Sequence, residues 1–189
     1  MSSFSSILLL LSIVTSPRAQ APLAAPDSTT VARDGQRDFD FELGTWTIKI
    51  RRLVHPLSGS SEWASPEGYT HIVQKVWDGR ASLAQLENDR PSRHFDGLML
   101  RMYNLESHEW NIYWGSAKTA TVDAPLVGHF EHGRGEFFQH DTYQGKPVIV
   151  RLVYSEITPS SFHTESSYSA DDGKTWEPNL IQTFARVKK

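Results

Sequence analysis

The sequence predicts an all-β protein folded as a single antiparallel barrel of about nine or ten strands. Three observations carry this. From Trp46 onward, apolar and polar residues alternate with a period of two in segment after segment. No segment sustains a helical period, which excludes α/β and α+β arrangements that need amphipathic helices to cover a sheet. Six Trp, six Tyr and nine Phe in 189 residues supply a large ring area for an enclosed core.

The first residues stand apart from that pattern. Met1 to Ser6 is followed by the apolar run Ile7 to Val14 and then by Ser16-Pro17-Arg18-Ala19-Gln20-Ala21. A short apolar core, a helix-breaking Pro and a small-residue exit fit a secretory signal peptide over residues 1–21, too short to span a bilayer. No Lys or Arg precedes the run and Pro22 follows the cut, so the site of cleavage is open. Residues 22–37 read as a flexible leader and residues 38–189 as the barrel. The expectation is therefore an exported protein, periplasmic or secreted. No integral membrane segment is expected once the signal is gone. The absence of Cys excludes disulfides, thiol catalysis and Cys-ligated zinc. A net charge of -3 gives no basic footprint for nucleic acid.

Phe39-Asp40-Phe41-Glu42-Leu43-Gly44-Thr45-Trp46 opens the body with a Gly-x-Trp where an apolar turn runs into the first strand. In that strand Trp46, Ile48 and Ile50 alternate with Thr45, Thr47 and Lys49. Glu62 to Gly68 and Thr70 to Trp77 read as a bent pair around Pro66, and Gly79 to Arg93 as an irregular stretch with a short turn of helix and an exposed loop. Leu98, Leu100 and Met102 alternate with Met99, Arg101 and Tyr103; beyond a turn, Trp110, Ile112 and Trp114 alternate with Asn111 and Tyr113.

Two later hairpins can be placed in register. A two-residue loop at Gly133-Arg134 would set Phe130 opposite Phe137 and His129 opposite Phe138; one at Gln144-Gly145 sets Asp141 opposite Val148 and Gln139 opposite Val150. Phe130, Phe137, Val148, Val150, Leu152 and Tyr154 then share one face, with Gln139 and Asp141 among them, and that face is taken as the interior. His129, Glu131, Glu136, Phe138, His140 and Arg151 fall outside. Ser169-Ala170-Asp171-Asp172-Gly173-Lys174-Thr175-Trp176 resembles the Asp-box hairpin of sialidase propellers. It occurs once, and the expected role is a structural turn.

The chain resembles a calycin-like β-barrel family of unknown function, within the lipocalin- and nitrobindin-like superfamily. The resemblance runs through residues 38–46, Gly97 to Tyr103, Trp110 to Trp114 and Asp141 to Pro147. It implies that Trp46 plugs the closed end of the barrel and that the interior can enclose one ligand. The broader group includes lipocalins, fatty-acid-binding proteins and haem-binding nitrobindins.

No Gly-x-Ser-x-Gly elbow, dinucleotide loop or His-Glu-x-x-His occurs. His129, His132 and His140 with Glu131 and Glu136 form the one His-rich region, read as a solvated outer face, so no metal is assigned. Arg101, Tyr113, Asp141, Arg151 and Glu165 are polar side chains among aromatics; interstrand ion pairs outside the barrel are the competing account. The leading expectation is an exported binder of a small apolar or amphipathic molecule, with Arg101, Tyr113, Trp114, Phe137, Gln139 and Asp141 as the ligand-binding set. One alternative is an isomerase, cyclase or hydrolase using the cavity, with Asp141 as base. Another is a haem-binding nitrobindin-like barrel with His163 as ligand. A self-filled barrel acting through its surface is a third. The leading reading needs no cofactor and leaves a homodimer open.

Overall fold

The computed structural model describes residues 34–188 apart from Glu67, Pro91 and Ser92. The signal peptide and most of the leader lie outside the described residues. The strands are β1 (Gly44–Leu53), β2 (Trp63–Ala64), β3 (Tyr69–Val76), β4 (Ala81–Arg90), β5 (Arg93–Asn104) and β6 (Glu109–Ser116). They continue with β7 (Thr121–Val122), β8 (Leu126–Glu131), β9 (Arg134–Tyr143), β10 (Lys146–Ser155), β11 (Ser161–Ser169) and β12 (Glu177–Arg186). Each long strand pairs antiparallel with its neighbour in sequence, and β12 returns to pair with β1. The result is a closed barrel of ten strands, with β2 and β7 as short additions at its edge. Closure leaves no long free edge to template aggregation. The architecture is consistent with a calycin-like fold.

The plug at one end follows from the opening motif. Gly44 has φ +116, and a Cβ there would lie 2.9 Å from Arg186 Nη1, so only glycine admits both the turn and the arginine. Trp46 is fully buried and its indole N–H donates to the Glu42 carbonyl at 2.6 Å. The Arg186 guanidinium lies 4.1 Å over the Trp46 ring and donates to the carbonyls of Leu43 (2.6 Å), Phe41 (2.5 Å) and Pro159 (2.7 Å). One arginine thus satisfies three turn carbonyls with charge-assisted hydrogen bonds. Above the plug the core is largely aromatic: Phe39 packs edge-on against Phe130, Trp110 and Tyr154, and Phe162 stacks on Phe184 at 4.0 Å.

The folded chain begins earlier than residue 38. Gly35 N–H donates to the Tyr103 hydroxyl at 3.1 Å, the Trp110 indole donates to the Gly35 carbonyl at 3.0 Å, and Arg37 bonds the Asp78 carbonyl at 2.7 Å. Residues 34–37, counted with the leader from composition, are tied to the barrel by these bonds.

Two local expectations are corrected. The stretch from Gly79 to Arg93 is mostly strand, β4, after a single tight turn over Trp77–Gly79. Its inward side chains include Ser82 and Ala84, small residues that leave room for Arg101 of the adjacent strand, so the apolar alternation is weak there. The loop between β8 and β9 is His132-Gly133, with φ of 50° and 78°, so Phe130 faces Gly135 and Gly128 faces Phe137. Moving the loop by one residue shifts the register by two, and a shift of two keeps every side chain on its own face. The interior set survives for that reason. At Gln144-Gly145 the pairing is as expected, Asp141 opposite Val148 and Gln139 opposite Val150.

The hairpin between β11 and β12 is held by its own side chains. Asp171 accepts the Ser169 hydroxyl (2.8 Å), the Thr175 amide (2.9 Å) and the Thr175 hydroxyl (2.6 Å), and these bonds hold its carboxyl down at about 2. Gly173 has φ +81, and Trp176 turns back over the outer face, where Arg151 sits 4.4 Å above its ring. Gly173→Ala should destabilise the fold by about 1 kcal/mol by placing a Cβ in a left-handed turn position. Equal denaturation midpoints for the two proteins would remove that role.

Candidate functional site

Inside the barrel, above the aromatic plug, lies a cavity of about 790 Å³. Its walls come from inward residues of successive strands: Ile48 and Ile50 of β1, Leu86 of β4, Met99 of β5, Trp114 of β6, Leu126 of β8, Val150 and Leu152 of β10, and Leu180 of β12. Arg52, Asp141, Tyr143 and Tyr168 toward the far ends of their strands, with Lys118 and Asp123 from the connections around β7, form the mouth, away from Trp46. Trp114 owes its place to Gly97 of the neighbouring strand, where a Cβ would come within 2.3 Å of the indole.

The floor is polar and interlocked. Glu42, from the plug, is buried between two strands. Its Oε1 accepts Arg101 Nη2 at 2.8 Å and meets His71 Nε2 at 2.8 Å. Arg101 Nη2 also reaches the Tyr154 hydroxyl at 3.3 Å, and its guanidinium lies 4.8 Å over the Phe39 ring. Glu42, His71, Arg101 and Tyr154 all line the cavity. Burial pushes the Glu42 carboxyl up, but Arg101 and His71 together outweigh it and hold the group below its ordinary value. Burial likewise opposes the charge on Arg101, and Glu42 overrides it, so the guanidinium stays charged. Burial pushes the Tyr154 hydroxyl up to about 12 against the pull of Arg101, so it remains a neutral donor. The Oε2 of Glu42 and the Nε of Arg101 are enclosed without a partner among the described residues.

The residues expected from the sequence divide into three groups. Arg101, Trp114, Gln139 and Asp141 line the cavity. Phe137 is fully buried in the aromatic core beneath it, packed against Phe39 and Tyr154. Tyr113 stands on the other face of β6 from the buried Ile112, so it points away from the cavity. Asp141 is exposed at the mouth, where its Oδ1 accepts the neighbouring Thr142 amide at 2.7 Å. A carboxylate in water lacks the desolvation that a cavity base requires, so the acid/base role expected of Asp141 is not supported.

His163 lies on the outer face of β11, between the buried Phe162 and Thr164, with its Nδ1 3.2 Å from the Thr183 hydroxyl. It cannot reach a haem held inside the barrel, and the haem reading loses its ligand. On the outer face Glu136 is taken by Arg134 at 2.8 Å, and Arg151 stacks on Trp176. Among the described residues no group of three or more His, Cys, Asp or Glu is placed to hold a metal. Glu42, His71 and Tyr154 were not among the site residues expected from the sequence, although Tyr154 was placed on the inward face. The one available signal was a charged residue on an inward face, Arg101 between Met99 and Tyr103, which demands a buried partner.

No helix among the described residues is long and apolar enough to cross a membrane. No family model matches the chain, and no curated protein matches it. Among solved structures it is similar to the S-type phycobiliprotein lyase CPES from Guillardia theta, with a TM-score of 0.52 and 13% identity over 84% of this chain and 95% of that one. At that identity the likeness is one of fold: the chain shares a closed antiparallel barrel with that lyase.

Proposed function

We propose that the barrel binds one small amphipathic molecule in its cavity, and that this chain stands with the ligand-binding calycin-like barrels. The observation that carries the reading is the cavity itself. Its volume of about 790 Å³ falls in the range of sites that enclose a drug-sized ligand, roughly 300–1,000 Å³. Aliphatic and aromatic walls with a few convergent polar groups are the usual make-up of such sites. A barrel that acts only through its surface would gain stability by filling this space, since an apolar void costs contact energy. The likeness to a phycobiliprotein lyase supports a barrel of this form and carries no ligand across.

Titration with 1-anilinonaphthalene-8-sulfonate should give a saturable, one-to-one rise in probe emission. Leu152→Trp, which adds an indole to the cavity wall, should weaken binding by about tenfold or more. Equal binding by the filled variant would place the probe elsewhere and end the cavity reading. Mass spectrometry of small molecules that co-purify with protein from its native host addresses the natural ligand.

We propose further that the chain is exported. Protein recovered from the native host should begin near Pro22, and an N-terminal sequence starting at Met1 or Ser2 would overturn this.

A further inference from the structure

Resting on the ligand-binding reading above, we infer that the polar end of the ligand is a carboxylate, held on one wall of the mouth by Arg52, Ser166 and Gln182. Arg52 lines the cavity near the end of β1 and is exposed there. Its guanidinium makes no hydrogen bond or ion pair among the described residues. The preceding Arg51 lies 4.9 Å over the Trp63 ring, and alternation turns Arg52 to the same side as Ile48 and Ile50, which line the cavity with it. Strand pairing sets the three side chains together. Arg52 and Ser166 both pair with Leu180, one from each side, and Gln182 stands one inward position deeper, opposite Ile50. The backbones of β1 and β11 are then two strand spacings apart, about 10 Å, a span that an arginine side chain and a bound carboxylate bridge together.

Each of these groups is free to donate. Gln182 Oε1 accepts the hydroxyl of the buried Thr164 at 3.1 Å, the one hydrogen bond of the Thr164 side chain among the described residues. That buried hydroxyl needs an acceptor, so the amide oxygen of Gln182 is fixed toward Thr164 and its N–H groups are left over. Ser166 and Gln182 are both half-buried and line the cavity, and the Ser166 hydroxyl has no partner among the described residues. Neither the Ser166 hydroxyl nor the Gln182 amide nitrogen is enclosed, so both keep open surface. Burial, Asp141 and Tyr143 push the Tyr168 hydroxyl up and the Arg52 charge opposes them, which sets the guanidinium within electrostatic reach of β11. The two carboxylates of the mouth, Asp123 and Asp141, stand after β7 and on β9, and neither forms an ion pair with Arg52. Arginine is permanently charged and its planar fork matches the two oxygens of a carboxylate. One guanidinium balances one negative charge, which favours a carboxylate over a doubly charged phosphate. The apolar body of the ligand then runs toward Leu86, Met99 and Leu126 of the remaining wall.

The test compares cis-parinaric acid with its methyl ester on the full chain, by the emission of the bound polyene, at a pH well above the carboxylate range. An apolar cavity without an anion site would favour the ester, which sheds less water on entry. The acid should instead bind at least about tenfold tighter than the ester, and added salt should shrink that ratio. Arg52→Gln should bring the ratio to one or below, and Ser166→Ala should lower it by a smaller factor. Should Arg52→Gln fail to fold, the salt dependence of the wild-type ratio decides, and a ratio that does not move with salt overturns the inference. Equal affinity of acid and ester, tighter binding of the ester, or a tenfold ratio that persists in Arg52→Gln also overturns it. If neither polyene binds while 1-anilinonaphthalene-8-sulfonate still does, the carboxylate inference fails and ligand binding stands. If none of the three binds, both fail.

Discussion

Arg101→Met should lower folding stability by about 3–5 kcal/mol, the range for breaking a buried ion pair from one side. The substitution leaves the Glu42 carboxylate enclosed with His71 as its remaining partner, and removes the contact that spans Glu42 of the plug, Tyr154 of β10 and the Phe39 ring. The double variant Glu42→Gln/Arg101→Met should recover much of the loss, because it removes the stranded charge along with its partner. Chemical denaturation of the single and double variants checks this; a double variant as unstable as the single one would show that shape, and not charge, is what the pair contributes. The same pair sets an acid limit. The Glu42 carboxyl sits below its ordinary value in the folded protein, so its contribution is complete above the ordinary carboxylate range and is lost as the pH falls through the folded value. The wild type should therefore lose stability on acidification more steeply than the double variant.

Trp46→Ala should cost about 3–5 kcal/mol, from the transfer energy of a fully buried indole and the cavity left behind. The loss extends past packing. The Glu42 carbonyl loses its donor, and the Arg186 guanidinium loses the ring it lies on while still holding three carbonyls of the plug and of the turn before β11. Since Glu42 belongs to the same turn, loosening the plug should also loosen the cavity floor. A thermal unfolding curve unchanged from wild type would remove the basis for treating Trp46 as the plug.

The strand class, the antiparallel order, the plug and the inward face of β9 and β10 were all legible in the sequence. Alternation has a period of two, and that parity survives an error of one residue in a loop, as the turn at His132-Gly133 demonstrates. Local motifs were legible too, because the bonds of Ser169, Asp171 and Thr175 are made within a few residues of one another. Strand β4 was not, since its inward Ser82 and Ala84 answer to the bulk of Arg101 on the next strand and carry no apolar period of their own.

The polar floor belongs to tertiary structure alone. Glu42, His71, Arg101 and Tyr154 come from the plug, β3, β5 and β10, and no spacing along the chain announces that barrel closure will bring them within hydrogen-bonding reach. The same applies to the difference between Arg101 and Asp141. Each falls on an inward face by alternation, yet height along the barrel axis puts one in the buried floor and the other in water at the mouth. Periodicity assigns a residue to a face; only the closed barrel assigns its depth, and depth determines whether a charge is desolvated and must be paired.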